Sequence, residues 1–168
     1  MSSLADMFSL QGKTALVTGA TGGLGLSMCL VLAEAGADIV SIQLPNDKGS
    51  SLLEDGVQAQ GRKLSVFTAD VGDSDVLRAT MKHIWAAGHV CDILLNCAGL
   101  NQRSPIEQKT RLFDLILGVN LKGSYVIGQE FGRRLVELGR PGKIIFTASL
   151  TLPMLMCPPM NGPAWISK

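Results

Sequence analysis

Charge is scarce in this chain. Only 17% of its 168 residues are Asp, Glu, Lys or Arg, their formal sum is +1, and aromatic residues make up 5%. A balance so near neutrality offers no basic face to nucleic acid or to an anionic membrane, so neither is expected as a partner. Long apolar runs are missing too, since none approaches the ~20 residues that a bilayer-spanning helix needs. Residues 1–10 hold serines and Asp6 but no basic segment ahead of an apolar one, so no secretory leader is expected there. The four cysteines (Cys29, Cys91, Cys97 and Cys157) form no C-x-x-C pair. His83, His89, Cys91 and Cys97 are metal-ligand types, but their spacings fit no zinc pattern and no metal is expected. Cys29 and Cys97 sit in or just after apolar runs and read as small hydrophobes, so the expected setting is cytoplasmic.

What is present is apolar: 46% of the residues, with a mean hydropathy of +0.28. That richness suits a parallel sheet covered on both faces. Residues 13–18 form a short apolar run that stops at glycines, the pattern of a buried strand. Residues 24–35 are apolar on nearly every face and stop at Gly36, as a packed helix with a glycine stop does. Strands are expected again at 38–42, 63–68, 91–96 and 143–147. Helices are expected between them, at 50–60, at 74–87 with Asp73 as cap, and over 108–138 with a break near Gly118. This alternation predicts βαβ units in an α/β fold: a Rossmann-like, doubly wound parallel sheet of order 3-2-1-4-5 in three α/β/α layers. Residues 1–150 read as one nucleotide-binding domain. Residues 151–168 form an irregular tail holding Pro153, Pro158, Pro159 and Pro163 with Met154, Met156 and Met160.

The turn Thr18-Gly19-Ala20-Thr21-Gly22-Gly23-Leu24-Gly25 lies between the first strand and the first long helix. Glycines permit positive φ and close backbone approach, and the helix start points its N–H groups at whatever sits there, which suits a pyrophosphate. The competing reading is a tight turn with no ligand. The end of the second strand is where a ribose is read: an acid favours a free 2′-hydroxyl and an Arg a 2′-phosphate. Gln43 stands there, with Asp47 and Lys48 a few residues on, so NAD and NADP both stay open. Asp70 can accept from an adenine amino group with Val71 offering its backbone, or it can simply start the next turn or cap a helix. Asn96, Ala98 and Gly99 follow the fourth strand at the carboxyl edge of the sheet, where ligands of such folds bind.

Together these pieces resemble the short-chain dehydrogenase/reductase family over most of the chain. The residues that carry the resemblance are Thr18-Gly19-x-x-x-Gly23-x-Gly25, Asp70-Val71, Asn96-Cys97-Ala98-Gly99, Val119-Asn120 and Ala148-Ser149. Residues 10–19 look most like members acting on sugar acids and polyols, or their fungal secondary-metabolite relatives. The resemblance implies NAD or NADP as cofactor and hydride transfer to or from a small carbonyl or secondary-alcohol substrate. In the family a Tyr moves the proton, a Lys four residues later assists it, a Ser holds the carbonyl oxygen and an Asn organises a water. Ser149 matches the Ser, Asn120 the Asn and Lys168 the Lys.

Two departures follow. Four residues before Lys168 stands Ala164, and the one tyrosine of the chain is Tyr125, so Tyr-x-x-x-Lys occurs nowhere. Trp165 is no substitute, because its indole N–H donates but does not titrate. Loss of a general acid typically costs about 10² to 10⁴ in rate. The resemblance implies later strands and a substrate-covering loop after Lys168, so over these 168 residues the fold is expected to be incomplete on its C-terminal side, with the fifth strand an open apolar edge. A shifted reading frame, a misplaced splice junction or a shortened chain would account for both. The alternative to an oxidoreductase is therefore a non-catalytic NAD(P)-binding module or pseudoenzyme, and a homo-oligomer is expected only of a full-length form.

Overall fold

The structure is a computed structural model that describes residues 4–101 and 110–148. Ser149, Ala164 and Lys168 lie outside the described residues. A short helix α1 (Leu4–Phe8) leads into β1 (Thr14–Thr18), α2 (Gly23–Glu34), β2 (Asp38–Gln43), α3 (Ser50–Ala59), β3 (Leu64–Thr68), α4 (Ser74–Ala86) and β4 (Ile93–Asn96). After the second described stretch begins come α5 (Thr110–Leu117), a π-helical turn (Gly118–Gly123), α6 (Ser124–Glu137) and β5 (Lys143–Phe146).

The five described strands form one parallel sheet in the order β3-β2-β1-β4-β5. Every connection is a crossover, as parallel pairing requires. Alternation along β1 divides the core in two. Ala15 and Val17 point into one layer with Cys29 and Ala33 of α2 and Leu53 and Val57 of α3. Leu16 points into the other with Met81 and Ile84 of α4 and Ile127 and Phe131 of α6. A strand buried on both faces must be apolar throughout, which is why 14–18 reads as a run and not as an alternation.

Helix ends follow local chemistry. The Asp73 carboxylate accepts from the backbone N–H groups of Asp75 and Val76 and so caps α4. Helix α2 closes with Gly36 at φ +107°, while Gly36 N–H donates to Ala33 O and Ala37 N–H to Leu32 O. These two bonds satisfy carbonyls that a helix end otherwise leaves orphaned. The break near Gly118 is a widened turn, not an interruption: the chain passes from α5 through the π-helical residues into α6 without leaving helical geometry. Strand β5 pairs with β4 alone among the described strands, and Ile144, Ile145 and Phe146 are 41%, 41% and 50% exposed.

Candidate functional site

At the carboxyl edge of the sheet, where the strand order reverses between β1 and β4, the loops enclose a cavity of about 350 Å³. That lies within the ~300–1,000 Å³ range of small-molecule sites. The glycine turn forms one wall and β4's extension another. Gly19 lies at φ +68°, and a Cβ on it would stand 2.7 Å from Ala98 N, so only glycine lets the two loops touch. Gly25 fits for a second reason: a Cβ there would collide with the Gly19 carbonyl, so α2 packs directly against its own entry turn. Gly23 is different again, since a Cβ on it would meet nothing among the described residues within 4 Å.

That open space adjoins the first turn of α2. The residue preceding α2 is Gly22, which has no side chain to cap the helix, and the first turn carries no acid. The N–H groups at the start of α2 are thus left without a side-chain partner and bear the positive end of the helix dipole. A diphosphate fits this cradle in charge and in room.

Of the residues singled out from the sequence, Gly19, Thr21, Gly22, Gln43, Asp70, Val71, Ala98 and Gly99 all line the cavity. Gly23 and Leu24 begin α2 at its rim and are exposed, whereas Gly25 is buried beneath them. Asn96 lies under the floor. Its Oδ1 accepts a 2.6 Å bond from Thr18 Oγ1, and its Nδ2 donates to Ser124 Oγ at 2.8 Å. Ser124 Oγ donates in turn to Asn120 O, and the Ala98 N–H donates to Thr18 Oγ1. One hydrogen-bond chain therefore joins β1, β4 and the π-helical turn. The Asn96 carbonyl also accepts from Thr147 N and Thr147 Oγ1, which anchors the end of β5 two residues before Ser149.

Asn120 sits in the π-helical turn and clasps the chain after β4. Its Nδ2 donates to Leu100 O at 2.9 Å and its Oδ1 accepts from Leu100 N at 2.7 Å. Asp70 accepts from Gly72 N at 2.8 Å, so it opens the next turn and lines the cavity at once. Gln43 is committed inward: its Nε2 donates to Ser41 Oγ and its Oε1 accepts from Ser50 Oγ. Only 4% of Gln43 remains exposed, and its amide bonds one serine through nitrogen and the other through oxygen.

Ile42, Leu44, Leu100, Leu115 and Val119 supply apolar lining that the sequence reading did not assign. Leu115 and Val119 are four residues apart, a spacing that puts both on one helical face, but which face meets the cavity depends on tertiary packing. Cys97 also lines the cavity, its Sγ 3.8 Å from Met28 Sδ. Burial, with a smaller push from Cys97, raises the Cys29 thiol to about 12. Burial and the neighbouring Asp92 charge do the same for Cys91. Ion pairs sit away from the cavity: Arg62 on Asp38 and Arg140 on Asp92 at the amino edge of the sheet, Arg78 and Arg133 on Glu130 between α4 and α6.

Comparison with known proteins agrees with this geometry. The family model described as short chain dehydrogenase matches residues 13–155. The chain is 40% identical over 148 residues to a 2-dehydro-3-deoxy-D-gluconate 5-dehydrogenase of Pseudoalteromonas atlantica, a match covering 88% of this chain and 58% of that one. A crystal structure of a gluconate 5-dehydrogenase from Burkholderia cenocepacia, in complex with NADP and tartrate, superposes with a TM-score of 0.78 at 32% identity over 88% of this chain and 57% of that one. A short-chain type dehydrogenase/reductase from Mycobacterium marinum gives a TM-score of 0.81 at 30% identity, with 89% and 61% covered. The chain thus spans under two thirds of the length of these relatives. The sequence motifs, the sheet order and these matches converge, and the chain belongs to the short-chain dehydrogenase family.

Proposed function

We propose that this chain binds a nicotinamide dinucleotide, NAD or NADP, in the cavity at the carboxyl edge of the sheet, as the cofactor-binding part of an oxidoreductase. The observation that carries the reading is the uncapped start of α2 beside the open position at Gly23, framed by Gly19, Gly25 and Ala98. In this reading Thr21, Gly22, Gly23, Leu24 and Gly25 surround the diphosphate and Asp70 and Val71 hold the adenine. Ala98 and Gly99 flank the middle of the cofactor, Gln43 helps to shape the ribose end, and Asn96 supports the floor from below. When bound, the nicotinamide ring supplies or accepts the hydride. Asn120 keeps the loop after β4 in register through Leu100, while Ser149 and Lys168 are assigned to the substrate oxygen and its proton.

Relatives that include a gluconate 5-dehydrogenase support a polyhydroxy acid or polyol as the substrate class. The NADP in that relative's structure supports a nicotinamide cofactor. The setting is assigned as cytoplasmic, and no helix among the described residues is long and apolar enough to cross a membrane. A second reading, a binding module without turnover, is favoured by one specific feature: Ala164 stands where the family has its proton-transferring Tyr. Fluorescence titration with NADH and NADPH, followed by assays on sugar acids, ketones and polyols, separates the two. The expected result is saturable binding with turnover depressed by about 10²-fold or more. Ordinary turnover overturns the module reading, and no binding of either cofactor overturns both.

A further inference from the structure

The loop after β2 does something that the strand end itself does not. Pro45 and Asn46 turn the chain sharply, with Asn46 in the left-handed region at φ +58°. Asn tolerates that region better than other non-glycine residues. The turn carries Asp47 back against the glycine turn. Thr21 Oγ1 donates to Asp47 Oδ2 at 2.7 Å, and Gly49 N donates to Asp47 Oδ1 at 2.9 Å. The approach is tight: a Cβ on Gly49 would stand 2.7 Å from Thr21 O. Asp47 is thereby fixed on the cavity wall beside Thr21, Gly22 and Gln43.

A carboxylate has about four lone-pair directions, and these two bonds use only part of them. The remainder can accept from neighbouring hydroxyls. The Gln43 amide, held by Ser41 and Ser50, is neutral and so does not repel a phosphate as an acid does. The charged residues among the described cavity lining are Asp47 and Asp70, both acidic, with no Lys or Arg between them. Lys48 is exposed and is not part of the lining. A phosphate brought to this wall meets like charge and no cation, whereas a ribose diol meets a fixed acceptor.

We propose that Asp47, held by Thr21 and Gly49, is the specificity-determining residue that makes this site select NAD over NADP. The proposal rests on the dinucleotide reading above and adds the choice between its two forms. It assigns the ribose to an acid four residues beyond the strand end, brought back by the Pro45–Asn46 turn, and not to Gln43.

The test is a titration of the full chain with NADH and NADPH, repeated on Asp47→Asn and on Lys48→Ala. Asn keeps an oxygen for Gly49 N and offers an N–H to the Thr21 hydroxyl, so both loop contacts can persist while the charge is lost. The wild type is expected to bind NADH at least about tenfold more tightly than NADPH, as a charged acceptor on a diol against like-charge repulsion implies. Asp47→Asn is expected to weaken NADH and strengthen NADPH, so that the ratio narrows. Lys48→Ala should leave the ratio unchanged. As a check that needs no variant, added salt should narrow the wild-type ratio by screening the repulsion. Equal affinities, a preference for NADPH, a ratio unmoved in Asp47→Asn, or a loss of NADPH binding in Lys48→Ala each overturns the proposal. Failure of both cofactors to bind overturns the underlying dinucleotide reading instead.

Discussion

Thr18 and Asn96 lie opposite each other in the β1–β4 register, and their side chains meet in a 2.6 Å hydrogen bond with both residues buried. The Thr18 hydroxyl also accepts from Ala98 N, so a single oxygen couples the end of one central strand to the loop that faces the cavity.

Replacing Thr18 by Val therefore strands the Asn96 side-chain oxygen Oδ1 and the Ala98 N–H together. The expected cost is about 1–3 kcal/mol, the price of leaving a buried polar group unsatisfied. Urea denaturation measures it, and Thr18→Ser, which keeps the hydroxyl, should recover most of the loss. Equal stability of the Val and Ser variants would show that the bond contributes nothing.

Gly19 and Gly12 have similar backbone angles, φ +68° and +73°, but different surroundings. At Gly12 a Cβ meets open space, so Gly12→Ala carries only the left-handed strain, about 1–2 kcal/mol. At Gly19 the same methyl also runs into the backbone of Cys97 and Ala98. Thermal melts of the two variants should show a clearly larger fall for Gly19→Ala. Equal falls contradict the close approach.

Glu130 gives the fold an acid limit. Burial by itself raises its carboxyl, but the hydrogen bonds and charges of Arg133 and Arg78 outweigh that and leave it below the ordinary value. A carboxyl lowered in the native state stabilises the fold above its unfolded value, about 4.3, and that contribution is lost as pH falls through the lower native value. Glu130→Gln should be less stable than the wild type at neutral pH, with the gap closing on acidification below about pH 4. Urea midpoints at several pH values measure this, and a gap that stays constant with pH counts against it.

Cys97 is the thiol of the described three that faces the cavity, while burial holds Cys29 and Cys91 near 12 and keeps them protonated. Brief alkylation of the native protein, followed by peptide mapping, should label Cys97 ahead of the other two. NADH should slow that labelling. Labelling of Cys29 or Cys91 at the same rate, or no protection at Cys97, contradicts the cavity's assignment.

Strand positions and sheet order were legible because fully buried parallel strands are short apolar runs bounded by turn residues, and residues 14–18 and 93–96 are of that kind. The glycine turn was legible for the same local reason. Gln43 was harder: its place at the strand end can be read, but its capture by Ser50 depends on where α3 begins. Asp47 is visible in the sequence only as an acid beyond the strand end, since its return to Thr21 depends on one left-handed residue, Asn46. The Gly118 break is visible as a glycine, but not its π-helical form, nor the close approach of Gly123 to the Val71 carbonyl, which is far away in sequence.

The central claim, that the glycine turn holds a dinucleotide, is tested most directly by NADH titration of the wild type beside Gly23→Ala. Nothing among the described residues occupies the position of that added methyl, so the variant should melt at the wild-type temperature. The predicted result is saturable binding of one NADH per wild-type chain and loss of most of that affinity in Gly23→Ala. Unchanged binding in the variant, or no binding by the wild type, would contradict the account.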